Sequence, residues 1–324
     1  MTAADASPDR HALRGRRRIL YLSKHFGYPL GGVRIAHHHV AILARNGFDA
    51  RILLVDDKRD AHFDGAVPTD TMVPEFAIRP DDLFVIPEPW EAYIRQLRKH
   101  PVRRYVFCQN HFYIFHGLGA AKSYAEAGID TVFCCGEVIS DFLTSVMGQP
   151  RAPIIHNAID HAVFRPAPKR RQIAVMPRKM RIETRFILGS LRQRHPDLAD
   201  VPWIEIVDRP ESEVAQILGE SAVFLALGRL EGFGLPPIEA MASGCLVVGF
   251  TGDGGRSFAT PENGLWCEPE NWLGCADLLA QALREYDADG GRRRVEAGLA
   301  TASEYTLERM ERELVAFWQA EIER

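Results

Sequence analysis

A strand–helix–strand unit near the start of the sequence constrains the fold more than any other feature. Arg17–Ser23 (RRILYLS) has the pattern of a strand, and the loop HFGYPLGG follows it. The next segment, VRIAHHHVAILARNG, has the apolar spacing of an amphipathic helix, with Gly47 at a favoured C-cap position. The strand ARILLVD comes directly after. Two strands joined in this way cross over right-handed in a parallel sheet, which predicts a doubly wound α/β domain.

The same alternation continues along the chain and then restarts. Apolar runs of strand length follow at LFVIP, RYVFCQ, TVFCC and APIIH, with helical segments between several of them. The stretch FRPAPK (Phe164–Lys169) resembles a short, stiff linker. After it come the strands RQIAVMP, PWIEIV, AVFLAL and CLVVGF, again separated by helical segments. A chain of 324 residues is long enough for two such domains. Ligands of open α/β sheets bind beyond the carboxyl ends of the strands, so we expect a cleft there.

These patterns divide the chain into four segments. We predict a flexible tail over 1–16, a first domain over 17–165, a second domain over 166–304 and a terminal helix over 305–324. The terminal helix carries one apolar stripe, at spacings of three and four residues, formed by Leu307, Met310, Leu314, Trp318 and Ile322. Such a stripe must be buried against another element.

Composition excludes several classes of protein. The 39 basic and 43 acidic residues give a net charge of −4, which argues against a nucleic-acid-binding protein. No run approaches the roughly 18 apolar residues of a membrane span. The N-terminus lacks an apolar signal core, and Asp5 and Asp9 argue against a transit peptide. We therefore expect a cytoplasmic protein, with at most peripheral contact at the inner face of the membrane.

The cysteine and histidine residues do not predict a metal site. The six cysteines form no C-x-x-C pair and no zinc spacing, which favours reduced thiols in the core. His37, His38 and His39 fall in the predicted helix, where neighbouring side chains point about 100° apart and do not converge on one ion.

The segment EGFGLPPIEAMASG carries the chemistry. We expect a buried strand to end near Leu227, Glu231 to lie in the following loop, and Pro236 or Pro237 to open a helix with Glu239 in its first turn. Taken singly, Glu239 could complement the helix dipole and Glu231 could be a solvated loop acid. Together, the fourteen residues resemble the E-x7-E signature of retaining GT-B glycosyltransferases, in particular glycosyltransferase family 4. The resemblance implies two Rossmann-like parallel-sheet domains that face a central cleft.

Weaker resemblances to the same family occur elsewhere. The Gly31-Gly32 loop resembles the family's N-terminal glycine loop, and TGDGGRS another glycine-rich loop of the cleft. PIIHNAIDHAVFRP resembles the passage before the linker, with Ala158 in place of the usual glycine. AVMPRK resembles the strand that ends in basic residues. Here Arg178 and Lys179 are adjacent rather than five or six apart, so Arg181 or Arg185 could substitute for one of them. The stretch between PWIEIVD and AVFLAL is shorter than in the family, and no base-contacting residue is assigned.

The resemblance implies a role for each matched residue. Glu239 would bind the ribose hydroxyls of a nucleotide-sugar donor. The catalytic residues would be Glu231, beside the donor sugar, and His111, near the transferred sugar, although a histidine placed just past a strand end could equally be structural. The remaining donor-binding residues would be Arg178, Lys179, Gly31, Gly32, Gly232, Phe233, Gly234 and Leu235. No metal ion and no cofactor is implied, because basic residues and helix termini would carry the diphosphate charge. The first domain would bind the acceptor, the second would bind the donor, and the terminal helix would pack back on the first.

The predicted activity is a metal-independent, retaining hexosyl transfer to an acceptor hydroxyl, in bacterial glycan or glycoconjugate synthesis. Two alternatives remain: a GT-B-fold sugar-nucleotide 2-epimerase, and a catalytically silent homologue that only binds the nucleotide sugar. The acceptor is unknown, and a lipid-linked glycan is one candidate. The basic residues Arg14, Arg16, Arg17 and Arg18 would either contact anionic lipid or lie on a solvated strand edge.

Overall fold

The computed structural model describes residues 17–27, 30–56, 58 and 67–324, which form two compact α/β units. The first unit holds the described residues up to Cys135, together with Ser140–Ile155 and Glu308–Arg324. The second unit holds Gly136–Ile139 and His156–Leu307. The predicted tail, with Arg14 and Arg16, lies outside the described residues.

Each unit is built on one sheet, and every strand pair in both sheets is parallel. The first sheet has the order β3-β2-β1-β4-β5-β6 and the second the order β11-β10-β9-β7-β8. The strands of the first sheet are β1 (Ile19–Ser23), β2 (Ala50–Leu54), β3 (Thr69–Thr71), β4 (Leu83–Pro87), β5 (Arg103–Cys108) and β6 (Thr131–Cys134). Those of the second are β7 (Arg170–Val175), β8 (Trp203–Glu205), β9 (Ser221–Glu231), β10 (Leu246–Asp253) and β11 (Leu265–Trp266).

Helices connect most of these strands, as parallel pairing requires. In chain order they are α1 (Gly31–Arg45), α2 (Glu91–Leu97), α3 (Ile114–Leu118), α4 (Glu137–Ser145), α5 (Arg181–Arg194), α6 (Glu211–Glu220), α7 (Leu235–Ala242), α8 (Trp272–Asp289), α9 (Arg292–Ala302) and α10 (Leu307–Glu323). Among the described residues, none of the helices combines the length and the apolar character that crossing a bilayer would need.

The core of the first unit lies between its sheet and the helices α1 and α10. Met310, Leu314, Trp318 and Ile322 of α10 are all buried. Trp318 is fully buried, and its Nε1 donates a hydrogen bond to Tyr21 Oη at 3.2 Å. Glu321 accepts a hydrogen bond from Tyr105 Oη at 2.8 Å. The terminal helix is therefore part of the first unit, although the chain reaches it only after completing the second.

Arg18 differs from the expectation for the basic N-terminal residues. It is only 8% exposed, and its Nε and Nη2 donate to the two carboxylate oxygens of Asp82 at 2.8 and 2.7 Å. Asp82 directly precedes β4, which pairs with β1. Arg18 is thus engaged in a buried bidentate ion pair and does not lie on a solvated strand edge.

In the described part of the chain, the second unit has one strand fewer than the first. Its core consists of aliphatic side chains from β7, β9 and β10 packed against α5 and α8. Only α6 lies between β8 and β9, because the segment from Ile206 to Glu220 is too short for a further strand. This is the region in which the sequence is shorter than the family pattern.

Several strand bounds differ from the predicted ones. APIIH (152–156) forms no strand, and its only pairing is an isolated bridge between Cys134 and Ile154. Two short strands, β3 and β11, were not predicted, because β3 (TDT) is polar and β11 has only two residues, so neither forms an apolar run of strand length. The chain also leaves the first unit at Ile155, before the FRPAPK segment.

Candidate active site

Two predicted site residues meet at the point where the strand order of the second sheet reverses. The chain passes from β7 to β8 on one side and then returns to β9 on the other side of β7. Ligands of open α/β sheets bind at the carboxyl ends of the strands at such a switch point. Lys179 lies four residues after β7, and Glu231 is the last residue of β9. Lys179 Nζ donates to Glu231 Oε1 at 2.7 Å.

A bend in the backbone presents Glu231. The strand β9 was predicted to end near Leu227, but it continues to Glu231. The partner of Glu231 in β10 is Asp253. The pairing is irregular between Thr251 and Asp253. Leu230 has φ of +51°, a conformation that costs a leucine side chain strain energy of order 1–3 kcal/mol. Strain of this kind is common at functional sites, where it fixes the direction of the following side chain.

Close backbone packing holds the loop Gly232–Gly234. A Cβ atom on Gly254 would lie 2.2 Å from the carbonyl carbon of Gly232, so only glycine fits there. Gly234 has φ of +93° and directly precedes α7. Phe233 is only 4% exposed and packs edge-on against the rings of Phe258 and Tyr305. The loop is therefore rigidly placed beside Glu231.

Glu239 lies on α7 and is only 3% exposed. The helix begins at Leu235, so Glu239 lies in its second turn. The predicted position, in the first turn, was wrong by one turn. Pro236 and Pro237 occupy the start of the helix, where the missing N–H groups have no partner within the helix in any case. A glutamate that only complemented the helix dipole could remain exposed to solvent. The burial of Glu239 therefore argues against that interpretation.

The predicted cationic residues have different surroundings. Lys179 and Arg178 form the exposed turn before α5, and Lys179 makes the contact with Glu231 described above. Arg181 and Arg185 are exposed on the first turns of α5. Both side chains of the Lys179–Glu231 pair are partly exposed, so the pair contributes at most about 1 kcal/mol to stability. It can open for a ligand at little cost.

The other predicted residues belong to the first unit. His111 is buried three residues after β5, with its ring 5.1 Å from that of Phe142. Gly31 and Gly32 were predicted to lie in a loop. They are instead the first two residues of α1. Gly32 O accepts a hydrogen bond from Gln109 Nε2 at 3.1 Å. Gly32 and His111 are therefore tied to the same edge of the first sheet.

Glu88, which directly follows β4 at this edge, is a buried acid that was not among the predicted site residues. Glu88 is only 5% exposed, and its Oε2 atom accepts a hydrogen bond from Gln109 N at 3.3 Å. Burial raises the pKa of Glu88 to about 7, against backbone hydrogen bonds that favour the charged form. The sequence signal was an acid immediately after an apolar strand, in LFVIPEPW.

We expect Glu88 to make stability depend on pH. A carboxyl whose folded pKa lies above its unfolded value is protonated preferentially in the native state, so stability falls as pH rises from about 5 to 7. Glu88→Gln should remove this fall, and its stability relative to wild type should increase by about 2 to 3 kcal/mol between pH 5 and pH 8. Urea unfolding at the two pH values measures the difference. Glu75→Gln, at an exposed position, is the matched control, and equal shifts in both variants would contradict the assignment.

The three adjacent histidines lie on α1, as their periodicity predicted. His39 is fully buried, stacks on Phe107 with ring centres 4.8 Å apart, and contacts Tyr21 Oη at 3.2 Å. His37 instead contacts the carbonyl of Val33 through Nδ1. Within the described ranges, no group of three or more His, Cys, Asp or Glu side chains is arranged to hold a metal ion.

Comparison with known proteins relates the second unit to a family of enzymes. The family model for group 1 glycosyl transferases matches residues 204–296, which include Glu231 and Glu239. An alpha-1,6-glucosyltransferase of Actinobacillus pleuropneumoniae serotype 7 is 28% identical over 229 residues, which cover 68% of this chain and 69% of that protein.

Solved structures match almost the whole chain. Anabaena Alr3699/HepE in complex with UDP and glucose has a TM-score of 0.70 at 14% identity, and the match covers 94% of this chain and 99% of that one. A glycosyltransferase from Rickettsia africae ESF-5 has a TM-score of 0.68 at 15% identity, with 95% and 99% coverage. The chain therefore has the GT-B fold, and these similarities support its assignment as a glycosyltransferase.

Proposed function

We propose that the protein is a retaining glycosyltransferase, resembling family 4, that takes a hexosyl group from a nucleotide sugar bound by its second unit. The observation that carries the proposal is the Lys179–Glu231 contact at the switch point of the second sheet. It sets a cation and a carboxylate side by side, directly before the tightly packed glycine loop and the helix that carries the buried Glu239. The nucleotide-sugar class is supported by Anabaena HepE, whose structures include complexes with UDP and with UDP-glucose.

The donor has two halves with opposite electrostatic needs. When its glycosidic bond to phosphate breaks, negative charge grows on the diphosphate and positive charge on the sugar ring. We assign Lys179 and Arg178 to the diphosphate, and Glu231 to the hydroxyls of the sugar. The ammonium of Lys179 has three N–H donors, so it can bind a phosphate oxygen without leaving Glu231. Glu239 would accept hydrogen bonds from both ribose hydroxyls through its two carboxylate oxygens.

We propose that the new bond forms on the face of the sugar from which the phosphate leaves. In this scheme the leaving phosphate oxygen takes the proton of the acceptor hydroxyl, so retention requires no covalent bond to a side chain. His111, at the edge of the first sheet, is assigned to the vicinity of the transferred sugar. Gly31 and Gly32, at the start of α1, are assigned to the close approach of substrate to the backbone.

The biological setting proposed is bacterial glycan or glycoconjugate synthesis in the cytoplasm, with at most peripheral membrane contact. The relative from A. pleuropneumoniae is named for forming an alpha-1,6 glucosyl linkage, which supports hexosyl transfer to a sugar hydroxyl. All six cysteines are free thiols, five of them buried, as is usual in a reducing compartment.

Ligand-dependent thermal unfolding of the whole chain, with UDP-, GDP- and dTDP-sugars, tests the proposal. The cognate donor at 100 times its Kd should stabilise the protein by about 2.7 kcal/mol. Transfer is then measured as nucleotide release that depends on an added sugar acceptor. Release of free UDP without an acceptor would favour the epimerase, and binding without any turnover would favour the silent homologue. No stabilisation by any of the nucleotide sugars would overturn the proposal.

We expect catalysis without a divalent metal. Lys179, Arg178 and nearby backbone N–H groups would neutralise the diphosphate, which is the role of the metal in enzymes that need one. Turnover should therefore stay within about twofold of its initial value after EDTA treatment and dialysis. Loss of activity that is restored by Mn²⁺ but not by NaCl of equal ionic strength would contradict this.

A further inference from the structure

The strand order of the first sheet also reverses, between β1 and β4. The proposed function places the nucleotide-sugar donor in the second unit and leaves this reversal point without a ligand. The chain passes from β1 to β2 and β3 on one side and then crosses to β4 on the other. Strands β1 and β4 are adjacent, with Tyr21 opposite Val85, so the segments that follow their ends also lie side by side. A ligand site is expected at this place in an open α/β sheet.

Aromatic side chains and one cation occupy this point. Lys24 and Phe26 follow β1, while Trp90 follows β4 and Tyr93 lies in the first turn of α2. The Nζ atom of Lys24 lies 4.9 Å from the ring centre of Phe26 and 5.8 Å from that of Trp90. The rings of Trp90 and Tyr93 are 5.1 Å apart at an angle of 40°. We call these four residues the aromatic cluster.

The cluster is not part of the core. Phe26, Trp90 and Tyr93 are all half-buried and Lys24 is exposed, whereas the aromatic residues within β4 and β5 are almost fully buried. Cation–π contacts hold the ammonium over two ring faces and fix its position. Half-buried aromatic rings around a fixed polar group, at a sheet edge where ligands bind, have the composition of a small-molecule site.

We propose that the aromatic cluster binds a neutral pyranose ring of the acceptor, stacked on Trp90. A pyranose has an apolar C–H face, which fits an aromatic ring, and a rim of hydroxyls, which needs donors and acceptors of hydrogen bonds. Lys24 supplies donors. Asp56, which accepts from His25 N at 3.2 Å, supplies an acceptor at the end of β2. This inference rests on the proposed function, because it names the substrate that receives the sugar.

The charges at this edge favour a neutral ligand over an anionic one. Among the described residues of the segments that follow β1, β2 and β4, the cations Lys24 and Lys58 are accompanied by the carboxyl groups of Asp56 and Glu88. A nucleotide or a phosphorylated lipid would need several cations to replace the water around its phosphates. At this switch point the charges nearly cancel, unlike those beside Arg178 and Lys179 in the second unit.

Saturation-transfer NMR on the whole chain tests the proposal without a donor. The probes are methyl α- and β-glucopyranoside, methyl β-galactopyranoside and methyl N-acetyl-β-glucosaminide, with inorganic pyrophosphate as the anionic probe. The variants are Trp90→Leu and Lys24→Gln. Trp203→Leu is the matched control, because that half-buried tryptophan also stacks with a cation, Arg192 at 3.9 Å, but in the second unit. Lys99→Gln is the control for loss of an exposed charge.

We expect at least one methyl glycoside to receive saturation in its C–H protons from the wild-type protein. Trp90→Leu should abolish the signal, and Lys24→Gln should weaken it, with KM for that glycoside as acceptor raised about tenfold in both. The control variants should keep the signal and the wild-type KM, and circular dichroism checks that all variants are folded. The Kd of the nucleotide sugar, measured separately, should not change in Trp90→Leu.

Two results would overturn the proposal and leave the proposed function intact. One is donor binding by a protein that gives no signal with any glycoside. The other is a glycoside signal that persists in folded Trp90→Leu. Displacement of the glycoside by pyrophosphate at equal concentration would contradict the neutral-ligand assignment. Failure of every nucleotide sugar to bind would overturn the proposed function, whatever the glycosides do.

Discussion

Replacing Glu231 by alanine is expected to lower kcat by about 100- to 1000-fold while the Kd of the nucleotide sugar changes by less than about threefold. The reason is that the carboxylate stands at the end of β9 on a strained turn, where its interaction with the donor sugar would strengthen as positive charge develops on the ring. Its ground-state partner, Lys179, would remain available for the diphosphate. Steady-state kinetics together with equilibrium binding separate the two effects.

A contrast with Glu239 makes this prediction specific. Glu239→Ala should raise the donor Kd by about 10- to 100-fold, because two charge-assisted hydrogen bonds to the ribose would be lost. Glu213→Ala removes an exposed acid on α6 and serves as the control for a change in net charge. Wild-type kcat in Glu231→Ala, or an unchanged donor Kd in Glu239→Ala, would show that the site has been assigned to the wrong residues.

Replacing Trp318 by alanine is expected to destabilise the first unit by about 3 to 5 kcal/mol. Trp318 is fully buried, and its removal leaves a cavity beside Tyr21 and Tyr105 and leaves the Tyr21 hydroxyl with His39 as its remaining hydrogen-bond partner. A loss of this size approaches the whole stability of many domains. The terminal helix would then detach from the first unit. All other residues of that unit lie at Ile155 or earlier in the chain.

Urea unfolding followed by circular dichroism measures this loss. Arg312→Ala changes an exposed position on the same helix and should stay within about 0.5 kcal/mol of wild type. Because Trp318 does not belong to the second unit, stabilisation by a nucleotide sugar should persist in the variant at low temperature. A loss below about 1 kcal/mol would mean that α10 is not integral to the first unit.

The sequence alone determined the elements of this protein and their local order. Apolar periodicity separates β1 from α1, and α5 from β7, because a strand repeats every two residues and a helix every 3.6. The same local chemistry located the loop Gly232–Gly234, since glycine and proline impose backbone angles on their own position. A stripe on α10 likewise required burial, whatever its partner.

The tertiary structure decided which of these elements meet. Lys179 and Glu231 are separated by 52 residues, and Arg18 and Asp82 by 64; both pairs depend on strand order, which no local pattern encodes. Pairing with β10 also carried β9 past Leu227 to Glu231, because a neighbouring strand extends pairing beyond the apolar run. The aromatic cluster was invisible for the same reason. Lys24 and Trp90 lie in separate loops, and only the adjacency of β1 and β4 brings the ammonium over the ring.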